Sequence, residues 1–213
     1  RLSEITAAAD GIEDEDLIER EDMVVTVTMQ GYIKRTPLDT FRAQARGGKG
    51  RSGMATKDED AITELFVTST HTPVLFFSTA GKVYRLKVWR LPEGGPATRG
   101  RPMVNLLPLG PGETISTVLP LPEDEEEWGK LHVMFATAMG SVRRNSMDAF
   151  ANVPSNGKIA MKFEGEDEDD RLIGVALLDE SDDVLLATRQ GKAIRFQAED
   201  VREFQSRNST GVR

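Results

Sequence analysis

A propeller-like, all-β array of about four blades is the fold this sequence predicts, and three observations predict it. A hairpin grammar occurs four times: VVTVTMQGYIKR at 24–35, VLFFSTAGKVYR at 74–85, VMFATAMGSVRR at 133–144 and VLLATRQGKAIR at 184–195. A second glycine landmark, at Gly50, Gly100, Gly157 and Gly211, follows the first glycine by 19, 19, 17 and 20 residues. A further apolar stretch, as at 61–68, 114–121 and 172–178, precedes the next hairpin. Three to four strands per roughly 50 residues is the spacing of a propeller blade, and one blade cannot bury its own faces, so neighbours must stack.

Within each unit the first apolar run, rich in β-branched and aromatic residues, favours strand over helix. It ends on a hydroxyl residue (Thr28, Ser78, Thr137 and Thr188) three positions before a glycine. That glycine, Gly31, Gly81, Gly140 or Gly191, supplies the positive φ that a tight hairpin demands. A second strand then reaches an arginine four places on, at Arg35, Arg85, Arg144 and Arg195. The glycines are spaced 50, 59 and 51 apart, and the longer interval coincides with an acidic insert at 122–130. Three units are complete, and the fourth stops before its last strand would close.

Composition narrows the chemistry. The chain of 213 residues has no cysteine, so disulfides and cysteine-based metal, redox or nucleophile sites are excluded. No apolar run approaches the ~18 residues of a membrane span, and the acidic first 22 residues are unlike a signal peptide. At 38% apolar and 6% aromatic, the expected core is thin or divided. The chain begins at Arg1 rather than Met and is read as part of something longer.

The formal charge of −8 hides a segregated distribution. Residues 1–22 carry two basic and nine acidic side chains, whereas residues 23–110 carry thirteen basic and six acidic. Further acidic blocks at 111–127 and 164–183 separate basic bodies at 128–163 and 184–213. A polyanion responds to the local field more than to net charge. The recurring arginines read either as edge-strand cations that block sheet-to-sheet pairing or as a row of equivalent cations around a perimeter. The cations at the second landmark, Arg51, Arg101, Lys158 and Arg213, with Arg99 beside them, favour the perimeter. The acidic runs Glu123–Glu127 and Glu166–Asp170 lack the spaced ligands of a calcium loop and read as solvated loops. His71 and His132 lie far apart in strand-like segments and read as structural. No catalytic or metal site is expected.

The most unusual stretch is Gln44-Ala45-Arg46-Gly47-Gly48-Lys49-Gly50, followed by Arg51. Lys49 is followed by glycine rather than Ser or Thr and no helix pattern follows, so this is not a nucleotide-binding P-loop. Three glycines among three cations let backbone amides and charges approach phosphates closely.

This stretch resembles the glycine-rich box of the DNA gyrase A-chain family, normally Gln-Arg-Arg-Gly-Gly-Lys-Gly, with Ala45 in place of the first arginine. The resemblance extends through EDLIEREDMVVTVTMQGYIKRTPLDTF, THTPVLFFSTAGKVYRLKVWRLP, RGRPMVNLLPL and RNSTGVR. It implies a C-terminal β-pinwheel, a propeller with strands exchanged between blades, of which the family usually has six. Residues 1–22 would be an acidic linker from the cleavage domain, positioned to compete with phosphate, and 23–213 a partial pinwheel. The implied role is sequence-nonspecific duplex DNA binding and chiral wrapping that supports ATP-dependent negative supercoiling. DNA-contacting residues would be Arg35, Arg46, Lys49, Arg51, Arg85, Arg99, Arg101, Arg144, Lys158, Arg195 and Arg213. Implied partners are duplex DNA, a gyrase B subunit that handles ATP and magnesium, and a second copy of the DNA-cleaving subunit, in the bacterial cytoplasm. The alternatives are the tail of the corresponding topoisomerase IV subunit, or a propeller-like scaffold for protein interaction.

Overall fold

A computed structural model describes residues 14–41 and 60–213. Its regular structure is β-strand joined by short 3-10 turns. The first blade holds β1 (Asp22–Thr28), β2 (Tyr32–Pro37), β3 (Ile62–Ser69) and β6 (Arg101–Pro102) in the order β3-β1-β2-β6. The second holds β4 (Pro73–Ser78), β5 (Lys82–Lys87), β7 (Ile115–Pro120) and β10 (Lys158–Ile159) in the order β10-β5-β4-β7. The third is β11-β8-β9, from β8 (His132–Thr137), β9 (Val142–Ser146) and β11 (Leu172–Leu178). The last is a hairpin of β12 (Asp183–Ala187) and β13 (Ala193–Gln197).

Every hairpin turn is built alike. Gly31, Gly81, Gly140 and Gly191 have φ between 79 and 92°. Each glycine N–H donates to the carbonyl of the hydroxyl residue three positions back, at 2.9–3.1 Å. The hydroxyl itself accepts the N–H of the residue after the glycine, at 3.2 Å for Thr28, 3.1 Å for Ser78, 3.0 Å for Thr137 and 3.2 Å for Thr188. The recurring Ser or Thr is thus a turn cap, satisfying an amide that the ladder leaves open.

The second landmark carries the strand exchange. Ile33 and Tyr32 of the first hairpin pair with Arg101 and Pro102 from the second repeat. Val83 and Lys82 of the second pair with Lys158 and Ile159 from the third, and Val142 of the third bridges Val212 from the fourth. The three described landmark glycines lie where a Cβ would strike the preceding hairpin: 2.4 Å from the Ile33 carbonyl at Gly100, 2.6 Å from the Tyr84 ring at Gly157 and 2.0 Å from the Val142 carbonyl at Gly211.

The core is divided, as composition suggested, and it lies between blades. On β4 the side chains alternate: Val74 and Phe76 pack toward Met23, Val25 and Ile33 of the first blade, while Leu75 and Phe77 pack toward Val133 and Phe135 of the third. A strand with apolar residues on both faces loses the polar alternation of a half-exposed strand. Phe77, Phe135 and Phe150 meet with ring centroids 5.5–5.9 Å apart. A smaller cluster of Met134, Val142, Leu178, Ala198 and Val201 joins the third blade to the last hairpin.

Candidate nucleic-acid interface

Along one side, the edge strands β3, β7 and β11 of the first three blades contact one another in sequence. The Glu64 carboxylate on β3 accepts the Val118 N–H on β7 at 3.3 Å. The Thr117 hydroxyl on β7 accepts the Val175 N–H on β11 at 3.1 Å. Edge amides that lack a strand partner are therefore bonded by the preceding blade, and burial pushes the Glu64 carboxyl up from its ordinary range. The opposite edges, β6, β10 and the Val212 bridge, form the rim. Arg101, Lys158 and Arg213 lie on or beside these exchanged rim segments.

Their surroundings differ. Arg101 is exposed and has no ion pair among the described residues. Arg99 stacks over the Tyr32 ring at 3.6 Å and donates to Gln30 at 2.8 Å, with Asp60 3.4 Å away. The Lys158 ammonium donates to the Ala149 carbonyl at 2.9 Å; burial and nearby Arg207 lower its pKa. Arg213 lies 3.7 Å from Asp167. The box residues Gln44, Ala45, Arg46, Gly47, Gly48, Lys49 and Gly50, with Arg51, lie outside the described residues.

Three of the four recurring arginines have a duty other than the exposed perimeter row. Arg35 Nε donates to the Leu91 carbonyl at 3.0 Å, an Arg85 NH donates to Ala151 at 2.7 Å and Arg144 Nε donates to Val201 at 2.8 Å. In each case the acceptor is the residue that ends the 3-10 turn of the following repeat. Each guanidinium also faces a carboxylate: Glu93 at 3.0 Å from Arg35, Glu125 on Arg85, and Glu180 at 3.7 Å from Arg144. These arginines staple one blade to the next. Arg195 is 73% exposed and pairs with Asp183 at 3.3 Å.

A second inward series sits one residue earlier, at a position that sequence reasoning passed over. Lys34 is fully buried, and its ammonium donates to the carbonyls of Gly95, Pro96 and Thr98 at 2.7, 3.2 and 2.9 Å. Burial lowers its pKa. Arg143, also fully buried, donates to Arg207 at 2.9 Å and to Ser209 and Ala160. Burial, and then Arg207, bring its pKa down to about 10. Tyr84 takes the same place in the second repeat. Its hydroxyl donates to Glu113 at 3.0 Å, and burial followed by that carboxylate raises its pKa to about 12. The motif held the signal, a long side chain three places after the glycine, but Lys, Tyr, Arg and Ile do not look alike in one sequence.

The acidic run Glu123–Glu127 is exposed, as a solvated segment should be, whereas the run Glu166–Asp170 buries its last carboxylate. The insert forms a 3-10 turn, Glu125–Lys130, capped by Asp124. Trp128 is fully buried beneath it, its indole N–H donating to the Pro122 carbonyl at 2.9 Å. Asp170 is buried and accepts the Met139 N–H at 2.9 Å, as Asp60 accepts that of Gln30 at 3.0 Å. A carboxylate at the start of an inner strand thus caps its own hairpin. His71 contacts Thr70 at 3.1 Å and the Glu15 carbonyl at 3.3 Å, and His132 contacts Glu203 at 3.0 Å. Of the acidic N-terminal stretch, residues 14–21 lie against the second blade, with Glu15 3.0 Å from Lys87 and Arg20 2.8 Å from Glu123.

Successive blades joined by exchanged rim segments are the architecture of a known domain. The family model for "DNA gyrase C-terminal domain, beta-propeller" matches residues 22–69, 72–122, 131–179 and 182–213, one match per blade. The chain belongs to this family. The DNA gyrase A protein of Rickettsia bellii is 56% identical over 199 residues, covering 93% of this chain and 22% of that protein. Its counterpart in Granulibacter bethesdensis is 54% identical over 215 residues, 100% of this chain and 23% of that protein. The chain therefore spans less than a quarter of these relatives. Among solved structures, the C-terminal domain of DNA topoisomerase IV superposes with a TM-score of 0.76 at 25% identity, covering 92% of this chain and 57% of that one. The C-terminal domain of DNA gyrase A gives 0.64 at 25% identity over 90% and 59%. Among the described residues no group of His, Asp and Glu could hold a metal ion, and no helix is long and apolar enough to cross a membrane.

Proposed function

We propose that this gyrase-family domain binds duplex DNA along its rim without reading base sequence, and bends the duplex as it passes from blade to blade. The observation that carries this reading is the strand exchange: it puts Arg101, Lys158 and Arg213 on successive outermost segments, one per blade. Cations at a repeated position offer phosphate contacts that grow in number with duplex length, and phosphate contacts position without specifying sequence. In the longer protein this wrapping would support negative supercoiling, with ATP and magnesium handled by gyrase B and a second gyrase A completing the enzyme. The setting would be the cytoplasm. Relatives that carry the gyrase A name, and the glycine-rich box, favour gyrase over a topoisomerase IV tail.

The test is a gel shift of the chain on duplexes of increasing length at several salt concentrations. Bending a 20–30 bp site costs on the order of 1–6 kcal/mol, so short duplexes gain too few contacts to offset it. Affinity should rise with length beyond the statistical increase in sites and fall steeply with salt. Length-independent affinity would remove the bending. Salt-independent binding, or none, would favour the protein-interaction scaffold.

A further inference from the structure

We propose that the rims of the first and third blades each carry a built phosphate-binding nest, formed by outward-facing backbone amides, and that the second blade between them carries none. This deepens the DNA reading and rests on it. The observation is the direction of the carbonyls in two exchanged loops. In the loop at 94–99, the Gly94 carbonyl accepts from the Thr36 hydroxyl at 2.6 Å, and those of Gly95, Pro96 and Thr98 accept from buried Lys34. A peptide unit is planar and trans, so an N–H points opposite to the carbonyl of the residue before it. The amides of Gly95, Ala97 and Arg99 therefore point away from the interior; Pro96 has no amide hydrogen. None of the three donates a hydrogen bond among the described residues.

The loop at 204–210, at the matching place two repeats later, is wound the same way. Asn145 Nδ2 takes the carbonyls of Phe204 at 2.6 Å and Ser206 at 3.4 Å, and Arg143 takes those of Arg207 and Ser209. This turns the amides of Gln205, Arg207, Asn208 and Thr210 outward, and only Asn208 is used within the loop, donating to the Ser206 hydroxyl at 3.1 Å. Free backbone amides facing outward from one loop are the donors an anion-binding concavity uses, and a buried cation behind the loop adds positive field. Arg99 lies in the first loop with Arg101 just after it; Arg207, which donates to the Ile159 carbonyl at 2.8 Å, lies in the second, with Arg202 before it and Arg213 after it. Three nearby carboxylates already face an arginine: Glu93 with Arg35, Asp60 with Arg99 and Asp167 with Arg213. Asp167 also accepts from the Thr210 hydroxyl at 2.8 Å, and Glu203 contacts His132 at 3.0 Å and accepts from the Gln205 side-chain amide at 3.3 Å.

The corresponding loop on the second blade, 153–156, lacks this construction. The residue beneath it is Tyr84, whose hydroxyl turns to Glu113 and Pro108 instead of the loop carbonyls. Lys34 and Arg143 are thus positioning residues: they do not touch phosphate but hold the amides that would. Phosphate contact should be strong, weak and strong along three successive blades, a pattern that cation counting alone does not predict.

The experiment follows backbone amides by NMR in the whole chain, titrated first with inorganic phosphate and then with a linear duplex, beside gel shifts of two variants. Gly95→Asp adds a carboxylate where a Cβ meets nothing within 4 Å, and Asn156→Asp adds one to the exposed loop on the second blade. The expected result is movement of the Gly95, Ala97, Arg99, Gln205, Arg207 and Thr210 amides, with little at 155–157. Gly95→Asp should melt like the wild type and lower the log–log salt slope by about 0.9, one phosphate contact; Asn156→Asp should leave the slope unchanged. Equal movement on all three rims, or equal effects of the two variants, would overturn the nests while leaving DNA binding in place. If the wild type binds no duplex, the DNA reading falls, and the inorganic phosphate titration alone decides the nests.

Discussion

Arg144 and Arg195 occupy the same position in successive repeats, and replacing each with Met should give opposite results. Arg144 is 9% exposed in its side chain and its Nε holds the Val201 carbonyl of the next repeat at 2.8 Å. Methionine keeps most of the stem's packing and removes the charge and the donor. A hydrogen bond from a charged group contributes roughly 1.5–3 kcal/mol, and a buried carbonyl left without a partner costs about 1–3 kcal/mol, so these overlapping figures put the loss near 2–3 kcal/mol. Glu180, 69% exposed, returns to water at little cost. In a domain of this size each kcal/mol moves Tm by about 2–4 °C, so Arg144→Met should melt roughly 4–12 °C lower. Arg195 is 73% exposed and its one ion pair lies at the surface, so its replacement should stay within about 0.5 kcal/mol. The assay is a pair of thermal melts, each followed by a DNA gel shift well below Tm. Equal melting shifts, or an Arg144 variant that melts normally and loses DNA, would refute the staple.

Three other perturbations follow from the geometry. Glu64→Gln keeps the acceptor for Val118 and removes a buried charge whose pKa is raised. A raised carboxyl stabilises below its unfolded value and loses that contribution as pH rises through the folded one, so the variant should melt higher than wild type at neutral pH, with the gap closing below about pH 4; a lower melt at pH 7 would contradict this. Tyr84, held at about 12 against an ordinary 10.0, favours the neutral phenol in the fold. Its contribution is complete below pH 10 and is lost as pH rises toward about 12, so denaturant titrations of Tyr84→Phe should show a shallower alkaline decline than wild type. Gly100→Ala and Gly112→Ala both force a side chain into positive φ, but only at Gly100 does the new Cβ meet a carbonyl, at 2.4 Å. The Gly112 variant should lose about 1 kcal/mol; the Gly100 variant should lose several times that, or fail to fold, and similar melts for both would show that the exchanged strand does not need the close approach.

Local features were legible in the sequence because their partners are local. The hairpin glycine bonds three residues back and the hydroxyl bonds four residues forward, so VVTVTMQGYIKR contains its whole turn. The landmark at Gly100-Arg101 was visible as a repeat, and the gyrase resemblance implied strand exchange, but spacing alone did not show which hairpin it joins: it runs back to the preceding one. The interblade bond of the recurring arginine was hidden for the same reason. Its acceptor lies 56 residues away from Arg35 and 57 away from Arg144, in the next repeat, and a cation that will be buried between blades is written like one that faces solvent. Asp170 and Trp128 sit in runs whose composition is that of a solvated loop, yet burial selects one side chain from each.

By itself, then, the sequence determined the repeating hairpin, its period, its glycines and caps, and, through the box and the long matching stretches, the family. Those follow from φ, alternation and hydrogen bonds that close within a dozen residues. The tertiary structure decided which charges are available. Stacking one blade on the next desolvates Arg35, Arg85 and Arg144 against neighbouring carbonyls, sinks Lys34 and Arg143 beneath exchanged loops, and leaves Arg101 exposed. A side chain's charge is a property of its residue type, but its exposure is set by the blade that packs against it.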